Sequence, residues 1–224
     1  MARARLKKIC VDAERPLVLG EFWSNALDLE LVPDAKGEAG LVDQDGTYRI
    51  WFNQGAEPKA VKHRLHLDVY ARRVADLETL GAKVVAPEGD DRHWTVMADP
   101  EGGEFCAFLR DDVPKTRLHG VVVDSRNPTK LAAWWGRALK AEVVHHDGYS
   151  TVQGVKKWPD MTLDFVPVPE RKQRPNRVHL DLSATSRDGL IERGATLIRA
   201  ADNEIRWSVL TDPEGNEFCL FPRN

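Results

Sequence analysis

The side chains best suited to chemistry occur twice in this chain, at matching places. The tripeptide His-Leu-Asp occupies 66–68 and 179–181, and Glu-Phe-Cys occupies 104–106 and 217–219. Histidine, with an ordinary pKa of about 6.5, can exchange protons near neutral pH. A cysteine thiolate can act as a nucleophile or bind a soft metal ion. The pattern therefore predicts His66 and His179 as catalytic candidates.

The recurrence extends well beyond these tripeptides. Asp-Pro-Glu-Gly occupies 99–102 and 212–215, again 113 residues apart, and 64–108 laid over 177–221 gives 18 identities in 45 positions. A repeat of about 112 residues is too long for a solenoid and has the length of a domain. We therefore expect a first domain at 1–110, a second at 118–224 and a linker at 111–117.

Composition excludes several classes of function. The chain has 224 residues, with 35 acidic against 32 basic side chains and a net charge of −3. Nucleic-acid binding requires a strongly basic surface, so no nucleic-acid partner is expected. No stretch approaches the roughly 20 apolar residues of a membrane span. Three widely spaced cysteines favour a reducing, cytoplasmic location over a secreted disulfide scaffold.

Hydrophobic patterning predicts the same element order in each half of each copy: strand, helix and three strands. In copy one, the first half has a strand at 6–12, a helix from Pro16 and strands near 29–32, 40–43 and 47–53. The second half has strands at 64–69, 83–86, 94–98 and 104–109 and a helix at 71–80. Alternation places Arg, His and Asp of the 64–69 strand on one face with Glu and Cys of the 104–109 strand. The predicted ligand-binding residues on these faces are Arg64, Trp94, Glu104, Cys106, Arg177, Trp207, Glu217 and Cys219.

A structural interpretation of the same residues competes with a functional one. A strand with one polar face is often simply solvated, and Arg64 could pair with Glu104 across strands. Asp68 lies about 7 Å along the strand from His66, which predicts a neighbour rather than a hydrogen-bond partner. Cys106 would be reactive only if a cation such as Arg64 lowered its pKa, and a buried inert thiol is the alternative.

Together these motifs resemble the vicinal oxygen chelate superfamily, in its glyoxalase-like or bleomycin-resistance-like branch, which is common in bacteria. The resemblance rests on the segments 64–68 and 99–106 and their counterparts 176–181 and 212–219. It implies an α+β fold with two tandem domains. Each domain would be a pair of βαβββ units curled into a half-open barrel around a cleft.

The resemblance also implies where a metal would bind, on the first, fourth, fifth and eighth strands of a copy. The corresponding pairs here are Lys8 and Gly120, Trp51 and Asp164, His66 and His179, and Cys106 and Cys219. Lysine and glycine are not suitable ligands, and cysteine replaces the usual glutamate, so no cofactor is expected. If a divalent metal such as zinc binds, the ligand sets expected are Cys10, His66 and Cys106, or Asp164, His179 and Cys219.

Two functions follow from these observations, and whether the protein is an enzyme stays open. The first is binding of a small organic molecule in a cleft without an intact family metal site. The alternative is a metal-dependent lyase or isomerase of glyoxalase type with His and Cys ligands. A further possibility is that one copy only stabilises the other. Two fused copies already imitate a dimer, so either a monomer or a homodimer is expected.

Overall fold

The computed structural model describes residues 4–90, 92–158 and 160–223 and contains four βαβββ units in chain order. Unit 1 comprises β1 (Arg5–Ala13), α1 (Pro16–Leu27), β2 (Glu30–Pro33), β3 (Ala39–Val42) and β4 (Tyr48–Gln54). Unit 2 comprises β5 (Leu65–Ala71), α2 (Val74–Thr79), β6 (Lys83–Ala86), β7 (Thr95–Ala98) and β8 (Glu104–Leu109).

The second copy repeats this order. Unit 3 comprises β9 (Leu118–Ser125), α3 (Pro128–Leu139), β10 (Glu142–His145), β11 (Ser150–Gln153) and β12 (Thr162–Pro167). Unit 4 comprises β13 (Val178–Ala184), α4 (Asp188–Ile191), β14 (Thr196–Arg199), β15 (Ser208–Thr211) and β16 (Glu217–Pro222). None of the helices in the described residues is long and apolar enough to span a membrane.

Local sequence explains where the two long helices begin and end. Pro16 and Pro128 occupy the first helical position, where a missing N–H is harmless. Each helix is followed by a residue in the left-handed conformation, with φ of 58° at Asp28 and 55° at Lys140. The helix predicted at 71–80 is shorter than expected. Residue 71 still belongs to β5, where it pairs with Leu109 of β8.

The sixteen strands form two eight-stranded sheets, and each sheet draws one unit from each copy. Sheet A has the order β14-β15-β16-β13-β1-β4-β3-β2 and combines units 1 and 4. Sheet B has the order β10-β11-β12-β9-β5-β8-β7-β6 and combines units 2 and 3. The antiparallel pairs β1–β13 and β5–β9 join the copies. The predicted α+β architecture of paired βαβββ units in half-open sheets is confirmed, but the units that pair come from different copies.

One hydrophobic core lies between the two sheets. Phe22 and Trp23 of α1 contact Phe105 of β8, so a helix of unit 1 packs against a strand of sheet B. Trp134 and Trp135 of α3 contact Phe218 of β16 in sheet A in the same way. The apolar residues of alternating strand positions belong to this core. The opposite positions therefore carry the polar residues.

The repeated Asp-Pro-Glu-Gly turn holds the two sheets together. Glu101 accepts hydrogen bonds from the backbone N–H groups of Glu14 and Arg15, 3.0 and 2.7 Å, just before α1. Glu214 does the same for Arg126 and Asn127 before α3, at 2.8 Å in both cases. A carboxylate at this place satisfies the free N–H groups of a helix N-terminus and interacts favourably with its dipole.

An arginine strengthens only one of these two turns. Arg177 forms an ion pair with Glu101 and donates to the carbonyl oxygen of Asp12 at 2.9 Å. The equivalent residue in copy one, Arg64, donates instead to the carbonyl oxygen of Glu170 at 3.1 Å. The Glu101 side chain is only 3% exposed. Its charge therefore depends on Arg177, a residue of the other copy.

We predict that Arg177→Ala lowers the free energy of unfolding by about 3 kcal/mol, because it leaves a buried carboxylate without its cation. Arg64→Ala is the matched control, since Arg64 occupies the same repeat position without a carboxylate partner, and it should cost less than about 1 kcal/mol. Urea unfolding followed by tryptophan fluorescence measures both. Equal losses in the two variants would contradict this account of the interface.

Candidate functional sites

The first cluster, site B, consists of His66, Asp68 and Cys106 on sheet B. His66 and Asp68 lie two residues apart on β5, and Cys106 is the parallel partner of Asp68 on β8. His66 Nε2 is 3.5 Å from Asp68 Oδ1 and 3.6 Å from Cys106 Sγ. All three residues are buried. The two side chains are neighbours without a hydrogen bond, as the strand spacing predicted, since Asp68 Oδ1 has no hydrogen-bond partner among the described residues.

Burial sets the protonation of site B. It raises the pKa of Asp68 to about 8, and the negative charge of Asp164 adds to the effect. Burial also lowers the pKa of His66 to about 4 and raises that of the Cys106 thiol. At neutral pH, His66 is therefore uncharged and Cys106 is protonated. Cys106 is an inert thiol in this state, and Arg64 does not activate it.

The second cluster, site A, lies on sheet A and contains Cys10, His179 and Asp181. Cys10 on β1 pairs across strands with His179 on β13, and His179 Nε2 is 3.8 Å from Asp181 Oδ1. Lys8 on β1 pairs with Asp181, and its Nζ is 3.9 Å from Asp181 Oδ2. Cys219 on β16 is the parallel partner of Asp181, and burial raises the pKa of its thiol.

A β-bulge brings a second lysine to site A. The pairing of β1 with β13 skips from Leu6 to Lys8, so Lys7 is the extra residue. A bulge interrupts the strict alternation of a strand and redirects its side chains. Lys7 Nζ lies 3.8 Å from the centre of the Phe221 ring, and Lys8 Nζ lies 4.5 Å from that of Trp51. Two ammonium groups therefore face the polar side of sheet A.

These lysines open onto a cavity of about 520 Å³. Six of its lining side chains are cationic, and no carboxylate occurs among the lining residues within the described parts of the chain. The cationic residues are Arg5, Lys7, Lys8, Arg49, Lys157 and Arg223. Tyr48, Trp51 and Trp158 supply aromatic surface. Arg49 is neutralised by Asp43 outside the cavity, with Nε and Oδ2 2.6 Å apart.

The equivalent positions of site B carry different residues. Gly120 replaces Lys8 and pairs with Asp68, while His119 replaces Lys7 in a bulge of the β5–β9 pairing. His119 Nδ1 lies 2.9 Å from the Tyr70 hydroxyl, and its ring contacts Phe108. The sequence argument missed His119, because alternation assigns it to the core face. Its alignment with Lys7 was the only signal that could have pointed to it.

The structure regroups the predicted metal ligands. Cys10 does not join His66 and Cys106, because β1 belongs to sheet A and meets β13. Asp164 does not join His179 and Cys219, because β12 belongs to sheet B. There Asp164 accepts hydrogen bonds from Thr151 Oγ1 at 2.6 Å and Thr162 Oγ1 at 2.5 Å. Both predicted sets failed for one reason: they assumed that each copy builds its own cleft.

The other predicted binding residues divide into two groups. Trp94 contacts Phe108 on sheet B, and Trp207 contacts Phe221 on sheet A, so both tryptophans lie near a cluster. Arg64 and Arg177 instead line a cavity of about 720 Å³ between the segments 55–65 and 168–178.

The two glutamates belong with these arginines rather than with the clusters. Glu104 pairs with Lys59 at 2.6 Å and Glu217 with Lys172 at 2.5 Å, and both lysines line the same central cavity. The expected pair of Arg64 with Glu104 does not form. In the structure, each glutamate is neutralised by a lysine from the segment that precedes β5 or β13.

Comparison with solved structures supports the fold. The chain is similar to glyoxalase I from Zea mays, with 12% identity, a TM-score of 0.70 and coverage of 99% of this chain and 93% of that one. It is also similar to the cppA protein from Streptococcus pneumoniae, with 11% identity, a TM-score of 0.53 and coverage of 98% and 100%. No curated protein sequence matches the chain significantly.

The sequence itself matches a family twice. The glyoxalase-like domain family matches residues 8–108 and again residues 120–221. The two matches cover most of the chain and coincide with the internal repeat. Each also contains one of the two His-Leu-Asp segments. The chain therefore belongs to the glyoxalase-like domain family and carries two copies of its domain.

Proposed function

We propose that this protein binds a small organic anion on the polar face of sheet A, without the help of a metal. The observation that carries the proposal is the cavity beside site A, onto which Lys7 and Lys8 open, with its cationic lining and no carboxylate among the described lining residues. A concave site with one sign of charge attracts ligands of the opposite sign. The aromatic rings favour a ligand with a flat apolar part.

Site A does not suit a divalent metal. Lys8 places an ammonium group 3.9 Å from Asp181, and Lys7 adds a second positive charge nearby. A metal ion close to these ammonium groups would be repelled. The same two groups would instead bind a carboxylate or phosphate in the cavity that they line. Trp51, which lies under Lys8, and Trp158 would flank the ligand.

We expect benzoate, 2-naphthoate or phenylphosphonate to quench the tryptophan fluorescence of the metal-free protein, and neutral benzamide to bind far more weakly. Lys8→Met should raise the Kd at least about tenfold, equivalent to about 1.4 kcal/mol. Higher salt should weaken binding because the interaction is electrostatic. Lys83→Met, an exposed lysine on sheet B, is the control and should bind like the parent protein. Equal affinity for benzoate and benzamide, or no binding of any anion, would contradict the proposal.

A second candidate is a metal-dependent lyase or isomerase of glyoxalase type acting at site B. The cluster there favours it, because His66, Asp68 and Cys106 offer nitrogen, oxygen and sulfur donors within 4.8 Å of one another. Among the described residues, nothing hydrogen-bonds to the buried Asp68 Oδ1, which leaves this atom available to a cation. A metal held by these residues would polarise a substrate carbonyl. His119, held by Tyr70, would orient the substrate beside them.

For this candidate we predict that His66→Ala abolishes glyoxalase-type turnover and the retained metal, whereas His179→Ala leaves both unchanged. The two histidines occupy equivalent positions, so the pair is a matched test. Elemental analysis of protein purified without chelator measures the metal. Full activity in a metal-free protein would exclude this candidate, and loss of metal in both variants would show that the two sites are not distinct.

A further inference from the structure

The two clusters differ most at one cross-strand position. In site A, Asp181 pairs in register with Lys8. In site B, the equivalent Asp68 pairs in register with Gly120. The fourth-strand position implied by the family resemblance also differs in charge. Sheet A has the neutral Trp51 there, on β4, and sheet B has the acidic Asp164, on β12. The cluster of histidine, aspartate and cysteine therefore has a lysine ammonium group beside its aspartate in sheet A and no such group in the described part of sheet B.

The carboxyl groups of site B have no cationic partner among the described residues. Among the described residues, neither Asp68 nor Asp164 forms an ion pair with a lysine or arginine. Asp68 is only 6% exposed, and its Oδ1 has no hydrogen-bond partner. Burying carboxylates without a cation is unfavourable, and in the ionised state the two would together carry a charge of −2, which one divalent cation would balance.

The spacing of the donors fits such a cation. Zn–N and Zn–S bonds of about 2.0 and 2.3 Å in a tetrahedral site place neighbouring donor atoms about 3.3–3.6 Å apart. In site B, His66 Nε2 is 3.5 Å from Asp68 Oδ1 and 3.6 Å from Cys106 Sγ. A histidine, a carboxylate and a thiolate leave one position open for a further ligand.

The packing around Gly120 keeps a side chain away from this position. A Cβ at residue 120 would lie 2.6 Å from Thr162 Oγ1 and 3.1 Å from Asp164 Oδ2. Thr162 donates to Asp164, which fixes both side chains. A lysine equivalent to Lys8 has no room here without rearrangement. The packing of sheet B therefore prevents a lysine side chain from placing an ammonium group beside Asp68.

We propose that Lys8 is the internal counter-cation of site A and excludes a metal from it, whereas Gly120 leaves site B to one divalent transition-metal ion held by His66, Asp68 and Cys106. In this arrangement, sheet A binds an anion and sheet B binds a metal cation. This inference rests on the proposed function of site A, since the same lysine serves as the anion-binding group there.

Titration of the metal-free protein with Co²⁺ tests the proposal, because thiolate ligation gives near-ultraviolet absorption and tetrahedral Co²⁺ gives intense visible bands. We expect one equivalent to bind to the parent protein and none to His66→Ala. Lys8→Met should bind a second equivalent, at Cys10, His179 and Asp181, and Lys8→Met combined with His179→Ala should return to one. Lys7→Met is the matched control and should remain at one.

Two results would overturn the proposal: a parent protein that binds no Co²⁺ or two equivalents, and a folded Lys8→Met variant that still binds one. Circular dichroism verifies folding, and Lys8→Gln provides a second substitution if Lys8→Met is unstable. The anion titration uses metal-free protein and a separate fluorescence signal. Failure of anion binding with the Co²⁺ stoichiometries intact would therefore remove only the proposed function of site A.

Discussion

Two antiparallel strand pairs, β1 with β13 and β5 with β9, determine almost everything else in this molecule. Each pair joins a unit of one copy to a unit of the other, so neither eight-stranded sheet exists within a single copy. Cys10 meets His179, and Asp164 enters the sheet of His66, only because of these pairs. The residues of site A therefore come from both copies, whereas those of site B come from copy one and have Gly120 and Asp164 of copy two beside them in the same sheet.

Because the copies interlock, residues that hold the two sheets together recur as regularly in the sequence as residues that could bind a ligand. The Asp-Pro-Glu-Gly turn is as regular in the two copies as the His-Leu-Asp segment, yet its glutamate binds backbone N–H groups before α1 or α3. It connects a turn of one sheet to a helix beside the other. Glu104 and Glu217 likewise pair with lysines of the crossing segments. Regular repetition alone does not separate residues that hold the sheets from residues that could bind a ligand.

The two sites solve one electrostatic problem in different ways. Each buries an aspartate beside a histidine and a thiol, which is unfavourable without a nearby positive charge. Site A has Lys8 within 3.9 Å of its aspartate, and a bulge adds Lys7. Site B has Gly120 at that place, and burial raises the pKa of Asp68 to about 8. The two faces therefore differ in charge at equivalent cross-strand positions, with Lys8 opposite Asp181 and Gly120 opposite Asp68.

The sequence by itself determined the repeat, the order of elements and the face on which each strand carries its polar residues. These features are local, since they depend on side-chain alternation, helix periodicity and turn residues within a few positions. It also identified His66, His179 and both repeated cysteines as members of polar clusters.

Only the tertiary structure decided which units pair and where the bulges fall. The repeats are so similar that pairing unit 1 with unit 2 or with unit 4 would bury the same kind of apolar face, so no local pattern distinguishes the two. The choice depends on the crossing segments 55–64 and 168–177 and on contacts such as that of Arg177 with Glu101. The bulges at Lys7 and His119 are equally non-local, because an extra residue in one strand is defined only against its partner.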